Sequence, residues 1–315
     1  MKRSAILIAF SLTLLGCGSL YHVPKQVKHA LPEKPEATST TVEPASRESH
    51  EQLFSTAPTA ALSEGERTTE KMAPEVDSGS LKITILYDNN AYDNRLKTAW
   101  GFSAFIEYGP TTVLFDTGGD GATLMGNFDA VGFNPANIDM VVLSHAHNDH
   151  VGGLPDFLAR ADRPTVYLLP SFSPGLKRRI SAQTRIGEVT ESMSLTARIS
   201  STGEMGNDIP EQSLLIDTDH GLVVITGCAH PGIVKIVEMA KDLAGKQIYL
   251  VLGGFHLKDM NRSEIKAIIA EFQRLGVEKV APTHCTGAQA ISMFEEAYGS
   301  DFIAVGVGRK IPIEG

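Results

Sequence analysis

Six residues constrain this chain more than any others. His145-Ala146-His147-Asn148-Asp149-His150 puts three imidazoles and a carboxylate into one short stretch, straight behind the apolar run Met140-Val141-Val142-Leu143. The apolar run predicts an interior strand over Ile138 to Ser144, so a sheet edge delivers the cluster. Imidazole and carboxylate are the ligands that Zn²⁺ and similar ions take when a water must also bind. In extended chain, His145 and His147 point the same way and can hold one ion. A turn after them aims Asp149 and His150 into the adjoining space, and Val151-Gly152-Gly153 lets the backbone turn tightly before a helix. The fold must therefore bring further ligands to the end of this one strand.

Other candidates occupy equivalent places. Of ten histidines, six sit at strand ends or in the loops that follow. The strand Leu222 to Thr226 runs into Gly227-Cys228-Ala229-His230. Gln247 to Leu252 runs into Gly253-Gly254-Phe255-His256, and Val277 to Ala281 into Pro282-Thr283-His284-Cys285. An earlier strand, Thr111 to Phe115, ends in Asp116-Thr117-Gly118-Gly119, where a carboxylate can orient a ligand histidine. Taken singly, His230, His256 and His284 read as core or capping residues, and Asp116 as a turn residue. Taken with the 145–150 cluster and the repeated strand-then-loop position, they read as a metal site at one rim of a layered α/β protein.

Hydrophobic periodicity supplies the frame. Leu81, Ile83 and Ile85 alternate with polar residues, as in a half-buried strand; Phe102 to Tyr108, Thr165 to Leu169, Leu214 to Ile216 and Phe302 to Val305 also read as strands. Helical patterns lie at Ile233 to Leu243, Ser263 to Leu275 and Ala288 to Ala297. His220 falls in a hairpin turn and is no ligand. Ser171 to Ser201 is polar and carries no clear period. Strands interleaved with helices predict sheets covered by helices.

The first 80 residues differ from the rest. Lys2 and Arg3 precede the apolar run Ala5 to Leu15, which is too short to span a bilayer but suits a signal segment, and the run ends in Leu14-Leu15-Gly16-Cys17. That ending resembles the bacterial lipobox. The resemblance implies a signal peptide over 1–16, lipidation at Cys17, and a mature protein anchored outside the cytoplasm, at the periplasmic face or the outer membrane. Residues 17–80 are rich in Pro, Ser, Thr and Glu and read as a flexible tether; residues 81–315 carry the fold. The whole chain has 315 residues, 42% of them hydrophobic, and a formal charge of −9. It can bury a sizeable core, and its acidic balance argues against a nucleic-acid partner.

Whole phrases carry a further resemblance. Leu143-Ser144-His145-Ala146-His147-Asn148-Asp149-His150-Val151-Gly152-Gly153-Leu154, Gly227-Cys228-Ala229-His230-Pro231-Gly232, Leu252-Gly253-Gly254-Phe255-His256-Leu257 and Pro282-Thr283-His284-Cys285-Thr286-Gly287 resemble the metallo-β-lactamase fold superfamily. Within it they are similar to the branch of archaeal dihydropterin-type phosphate synthases and metal-dependent hydrolases. The resemblance implies an α/β fold, a four-layer αββα sandwich. It also implies one or two divalent ions, zinc foremost, with His145, His147 and His230 holding one and Asp149, His150 and His284 the other. Each ion would keep an open position for water and lower its pKa toward ~7. Asp149 would orient the nucleophile or pass a proton, and Asp116 would fix the tautomer of a ligand histidine.

The superfamily's bridging Asp is missing. The loop Gly253 to His256 offers His256 instead, as a ligand or a substrate contact, so the Asp149 site is expected to load more weakly. Cys228 and Cys285 read as two buried thiols beside the site, with a disulfide, or Cys228 as a ligand, as alternatives. Asn89, Asn90 and Trp100 face substrate or form a polar loop with a packing aromatic.

Three functions fit: a metal-dependent hydrolase acting on a small ester, phosphoester or lactone; a pterin-type synthase or transferase using the same site; and a non-catalytic metal-binding or ligand-binding lipoprotein. The complete set of motif residues favours an enzyme.

Overall fold

The computed structural model describes residues 79–314. Cys17, the signal segment and nearly all of the tether lie outside the described residues. Among the described residues no helix is long and apolar enough to cross a membrane.

The chain begins with β1 (Leu81–Tyr87), β2 (Ser103–Tyr108), β3 (Thr111–Phe115), α1 (Gly121–Val131), β4 (Met140–Val142), α2 (Asn148–Val151), α3 (Leu154–Leu158), β5 (Thr165–Leu168) and α4 (Pro174–Ser181). Next come β6 (Ile186–Glu188), β7 (Glu191–Ser194), β8 (Ile199–Gly203), β9 (Leu214–Thr218), β10 (Gly221–Thr226), α5 (Ile233–Ala244), β11 (Ile248–Gly254), α6 (Arg262–Leu275), β12 (Lys279–Thr283), α7 (Ala288–Tyr298) and β13 (Lys310–Ile313). They build two sheets, ordered β13-β1-β2-β3-β4-β5-β6 and β12-β11-β10-β9-β8-β7.

The period-2 alternation of each strand sorts its side chains into separate cores. Ile83, Ile85, Val113, Phe115 and Val142 of the first sheet meet Leu214, Ile216, Val223, Ile225, Leu250 and Leu252 of the second between the sheets. On the outer face of the first sheet, Leu114, Val141 and Leu143 pack on Leu124 and Phe128 of α1 and Phe157 of α3. On the outer face of the second, Val224 and Val251 pack on Ile236 and Val237 of α5, Phe272 of α6 and Phe294 of α7. Three cores between four layers make the αββα sandwich. Because both faces of each sheet are covered, the central strands read as near-continuous apolar runs. Each fully buried Leu, Ile or Phe contributes about 1.5–3 kcal/mol of transfer free energy.

Three elements depart from the sequence reading. Phe302 to Val305 is not a strand: Phe302 makes one bridge to Val280, and the chain then leaves to pair Val307 with Ala91. The strand that closes the first sheet is β13, antiparallel to β1. Gly121–Val131 forms a helix that hydropathy alone does not announce, although its ends are marked. Asp120 accepts the Thr123 N–H as N-cap, and Gly132 terminates the helix at φ 78°. The 171–201 segment resolves into α4, capped by Ser173 with Pro174 in its first turn, and the short strands β6 to β8, of which β6 and β7 are sheet edges.

What positions the site is strand direction. β3 runs parallel to β4, and β10, β11 and β12 run parallel to one another. Their C-terminal ends carry Asp116, the 145–150 cluster, Cys228 to His230, His256 and His284.

Candidate metal centre

The loops at this rim are held in costly backbone shapes. Five described non-glycine residues have positive φ, and four of them are Asp116 (56°), Ala229 (61°), His256 (56°) and His284 (51°). The left-handed region costs a non-glycine residue roughly 1–2 kcal/mol, so such clustering marks a site whose geometry is imposed by its surroundings. The glycines act differently from the sequence expectation. Gly152 and Gly153 have ordinary helical φ (−64° and −80°). They are needed because a Cβ would run into the Gly119 and Thr117 carbonyls, so they serve close approach rather than a tight turn. At Gly227 a Cβ would strike Ser144 Oγ.

The hydrogen bonds fix which imidazole nitrogens are bare. Asp116 is fully buried and accepts from Ser144 N (2.7 Å), Ser144 Oγ (2.7 Å) and His150 Nδ1 (2.6 Å). His150 therefore carries its proton on Nδ1 and presents a lone pair at Nε2. Ser144 spends its one hydroxyl proton on Asp116, so it accepts from His145 Nδ1 at 2.9 Å, and His145 Nε2 is bare as well. His284 Nδ1 donates to Asn89 Oδ1 at 2.9 Å, which leaves His284 Nε2 bare, buried and without a hydrogen-bond partner.

These bare atoms converge. His145 Nε2 lies 3.1 Å from His147 Nδ1, and those two side chains group with His230, whose Nε2 is also buried and unpaired. Asp149 Oδ2 lies 3.4 Å from His284 Nε2 and 3.7 Å from His150 Nε2. A carboxylate oxygen facing two imidazole lone pairs is repulsive unless a cation lies between them. The residues present fit a metal.

The profile of the Metallo-beta-lactamase superfamily matches residues 101–242. A solved structure described as a metal-dependent hydrolase of the β-lactamase superfamily has a TM-score of 0.64 at 27% identity, covering 75% of this chain and 100% of that one. Residues 101–242 carry a Metallo-beta-lactamase superfamily domain. Among curated proteins, "7,8-dihydropterin-6-methyl-4-(beta-D-ribofuranosyl)-aminobenzene-5'-phosphate synthase" of Methanocaldococcus jannaschii is 29% identical over 283 residues, 74% of this chain and 96% of its own length. The metallo-β-lactamase fold protein YhfI from Bacillus subtilis shares the fold, with a TM-score of 0.56 at 13% identity over 74% of this chain and 99% of that one.

Electrostatics in this metallo-β-lactamase-type site follow from burial and crowding. Burial and the surrounding imidazoles push the His145 pKa far down, and burial with His256 and His147 lowers His230 to about 4. Both imidazoles are neutral at neutral pH. Burial opposes charge on His150, but the Asp116 carboxylate outweighs it and raises the pKa. Burial likewise opposes ionisation of Asp149, yet the adjacent His284 and His150 imidazoles pull its carboxyl well below the usual range.

The candidates outside the main cluster have distinct places. His256 is exposed, with its ring centroid 4.5 Å from that of His230, and it groups with Cys228 and His230. Cys228 and Cys285 are both free and buried, so no disulfide joins them. Asn89 holds His284 through Nδ1 and its carbonyl, and Asn90 donates to Asp88 and Thr283, so neither amide is left for substrate. Trp100 is half exposed, 4.8 Å from the His284 ring, and lies at the rim.

Two carboxylates escape a reading of the motifs. Glu211 is fully buried and gathers the His230 loop. Its Oε1 accepts from Thr226 Oγ1 and the backbone N–H groups of Gly227, Cys228 and Ala229, and its Oε2 accepts from His230 N, all at 2.9–3.0 Å. Asp88, buried at the end of β1, accepts from Asn90 N and Thr283 Oγ1 and ties that end to the His284 loop. Burial raises the Asp88 pKa to about 6. Their only signal in the sequence is an acidic residue next to an apolar strand, which is too common to single out.

Proposed function

We propose that this domain is a metal-dependent hydrolase acting on a small ester, phosphoester or lactone. The observation that carries the reading is the convergence of bare, buried imidazole nitrogens with the Asp149 carboxylate, their tautomers set by Asp116, Ser144 and Asn89. In this reading His145, His147 and His230 hold one divalent ion, with Zn²⁺ suited to three neutral nitrogens, and Asp149, His150 and His284 hold a second. Bound there, such an ion polarises the bond under attack and lowers the pKa of water it holds toward ~7.

The chain's own residues do the rest. Asp116 keeps the His150 proton on Nδ1. Asp149, ionised and with its side chain 22% exposed, can orient the attacking water and accept its proton. In this reading His256, exposed beside His230, touches substrate. A cleft of about 380 Å³ lined by Ala146 and Asn148, on either side of His147, and by Leu154, Leu158, Leu176 and Arg179 offers apolar walls and one cation to a substrate's remote part.

A second reading, condensation by a synthase, is favoured by the identity to the archaeal enzyme. The two differ only in whether water or another nucleophile attacks. Anchoring at Cys17 outside the cytoplasm belongs to the same proposal and favours a hydrolase.

A broad esterase, phosphodiesterase and lactonase panel tests this. Turnover should vanish on chelation, return with Zn²⁺, and be lost in His147→Ala while the chain stays folded. Full activity after stringent metal removal would refute it. Activity only with a second organic substrate would favour the synthase.

A further inference from the structure

The Gly253 to His256 loop lacks the acidic residue that would balance two neighbouring cations, yet the rim holds another group able to carry negative charge. Cys228 Sγ lies 3.2 Å from His150 Nε2. His150 keeps its proton on Nδ1 for Asp116, so Nε2 is an acceptor and the thiol S–H points at it. The thiol proton thus occupies the place where that lone pair would meet a metal. Cys228 Sγ, an Asp149 carboxylate oxygen and a ring nitrogen from each of His150 and His284 all lie within 4.8 Å of one another. An independent observation comes from the opposite wall: the fully buried His284 side chain aims an unpaired Nε2 into the same space.

Three of the six separations come within about 0.4 Å of one coordination geometry. Zn–N and Zn–O bonds of ~2.0–2.1 Å and a Zn–S bond of ~2.3 Å give a tetrahedron with edges of roughly 3.3–3.7 Å. The edges recorded here are 3.2 Å for Cys228 to His150, 3.4 Å for Asp149 to His284 and 3.7 Å for Asp149 to His150. Cys285 does not compete, because its Sγ donates to the Cys228 carbonyl at 3.6 Å.

We propose that Cys228, as thiolate, is the fourth protein ligand of the ion held by Asp149, His150 and His284. On binding, the S–H bond breaks, a sulfur–metal bond forms, and the proton leaves to solvent; a metal-bound thiol is deprotonated outright. Two anionic ligands then neutralise a divalent ion in a buried site, which the Asp149 carboxylate alone cannot do. Two consequences follow. With four protein ligands this site is closed, as structural zinc sites are, and the open position stays with His145, His147 and His230. A soft sulfur ligand also selects Zn²⁺, Co²⁺ or Cd²⁺ over Mg²⁺ and Mn²⁺. The order of affinity expected from the sequence is thereby reversed: the Asp149 site becomes the tighter one.

The proposal rests on the metal-binding reading, and the experiment separates the two. Metal-free full-length protein is titrated with Co²⁺ and followed in the near ultraviolet, where thiolate-to-cobalt charge transfer absorbs, with Zn²⁺ affinities measured by calorimetry. Wild type should show the band in one of two steps. Cys228→Ser should lose the band and at least about tenfold in Zn²⁺ affinity for that step, since even outer-shell changes cost ~10–100-fold. Cys285→Ser should keep both. Should Cys228→Ser fail to fold, Cys228→Asp keeps a charged ligand; it should bind two ions without the band and accept Mn²⁺ more readily. A wild-type band that is absent, that survives in Cys228→Ser, or that disappears in Cys285→Ser would overturn the thiolate ligand alone. Failure to bind any divalent ion would overturn the metal-dependent reading with it.

Discussion

Replacing Asp116 by Asn removes one charge and almost no volume, and it isolates what the carboxylate does. Asp116 sits at φ 56°, a conformation Asn tolerates better than other non-glycine residues, so the backbone should stay in place. If the amide oxygen keeps the Ser144 N–H, the new NH₂ faces His150 Nδ1, formerly a donor at 2.6 Å. Two donors cannot share that contact. His150 must move its proton to Nε2, where the lone pair for the metal had been. A hydrogen bond to a charged group contributes about 1.5–3 kcal/mol, which at about 1.4 kcal/mol per decade is about 10–150-fold in affinity. Outer-shell substitutions at metal sites cost about 10–100-fold, in agreement. Calorimetric Zn²⁺ titration of Asp116→Asn should therefore show one step weakened by about 10–100-fold. Nitrogen NMR of the imidazoles should show the His150 proton moved to Nε2. Affinity within about twofold of wild type, or an unchanged tautomer, would refute the reasoning.

Glu211→Gln should orphan the His230 N–H, cost about 1–3 kcal/mol in urea denaturation, and weaken the His145 and His230 site; unchanged stability would show that Glu211 does not hold the loop. Metal-free protein should lose stability on acidification. His145 and His230 have folded pKa values below the unfolded ~6.5, so the unfolded state takes up protons first and stability falls as pH drops from ~6.5 toward 4. His150, raised, contributes fully below ~6.5 and less as pH rises through its folded pKa; Asp88, raised to about 6, and Glu211, raised by burial, add stability as pH falls through their folded values and offset part of the histidine loss. A melting temperature flat from pH 7 to 4.5 would contradict this balance. Cys17→Ser should release the protein from the membrane fraction; continued tight attachment would refute the anchor.

Local order was legible wherever one chain segment holds the whole signal. The 145–150 cluster, the apolar strands before His230, His256 and His284, and the amphipathic helices α5 to α7 each carry their period or ligand spacing within a dozen residues. The strand that Phe302 to Val305 suggested failed because a short apolar run states a preference for burial, and one bridge to Val280 satisfies it. Asn89 was legible as a polar residue after a strand, but its partner, His284, is 195 residues away.

The sequence by itself therefore determined which side chains offer metal-binding atoms and which strand ends present them, because ligand type and strand period are local properties. Only the tertiary structure decided which nitrogen of each imidazole is bare, since that depends on a carboxylate, a hydroxyl or an amide supplied by another loop. It also decided that Glu211 gathers the His230 loop, and that Cys228 rather than Cys285 turns its sulfur toward His150. The contacts of Asn89 with His284 and of Cys228 with His150 join loops of different sheets and exist only once the sheets have packed, where burial makes an unsatisfied donor or charge too costly to leave unpaired.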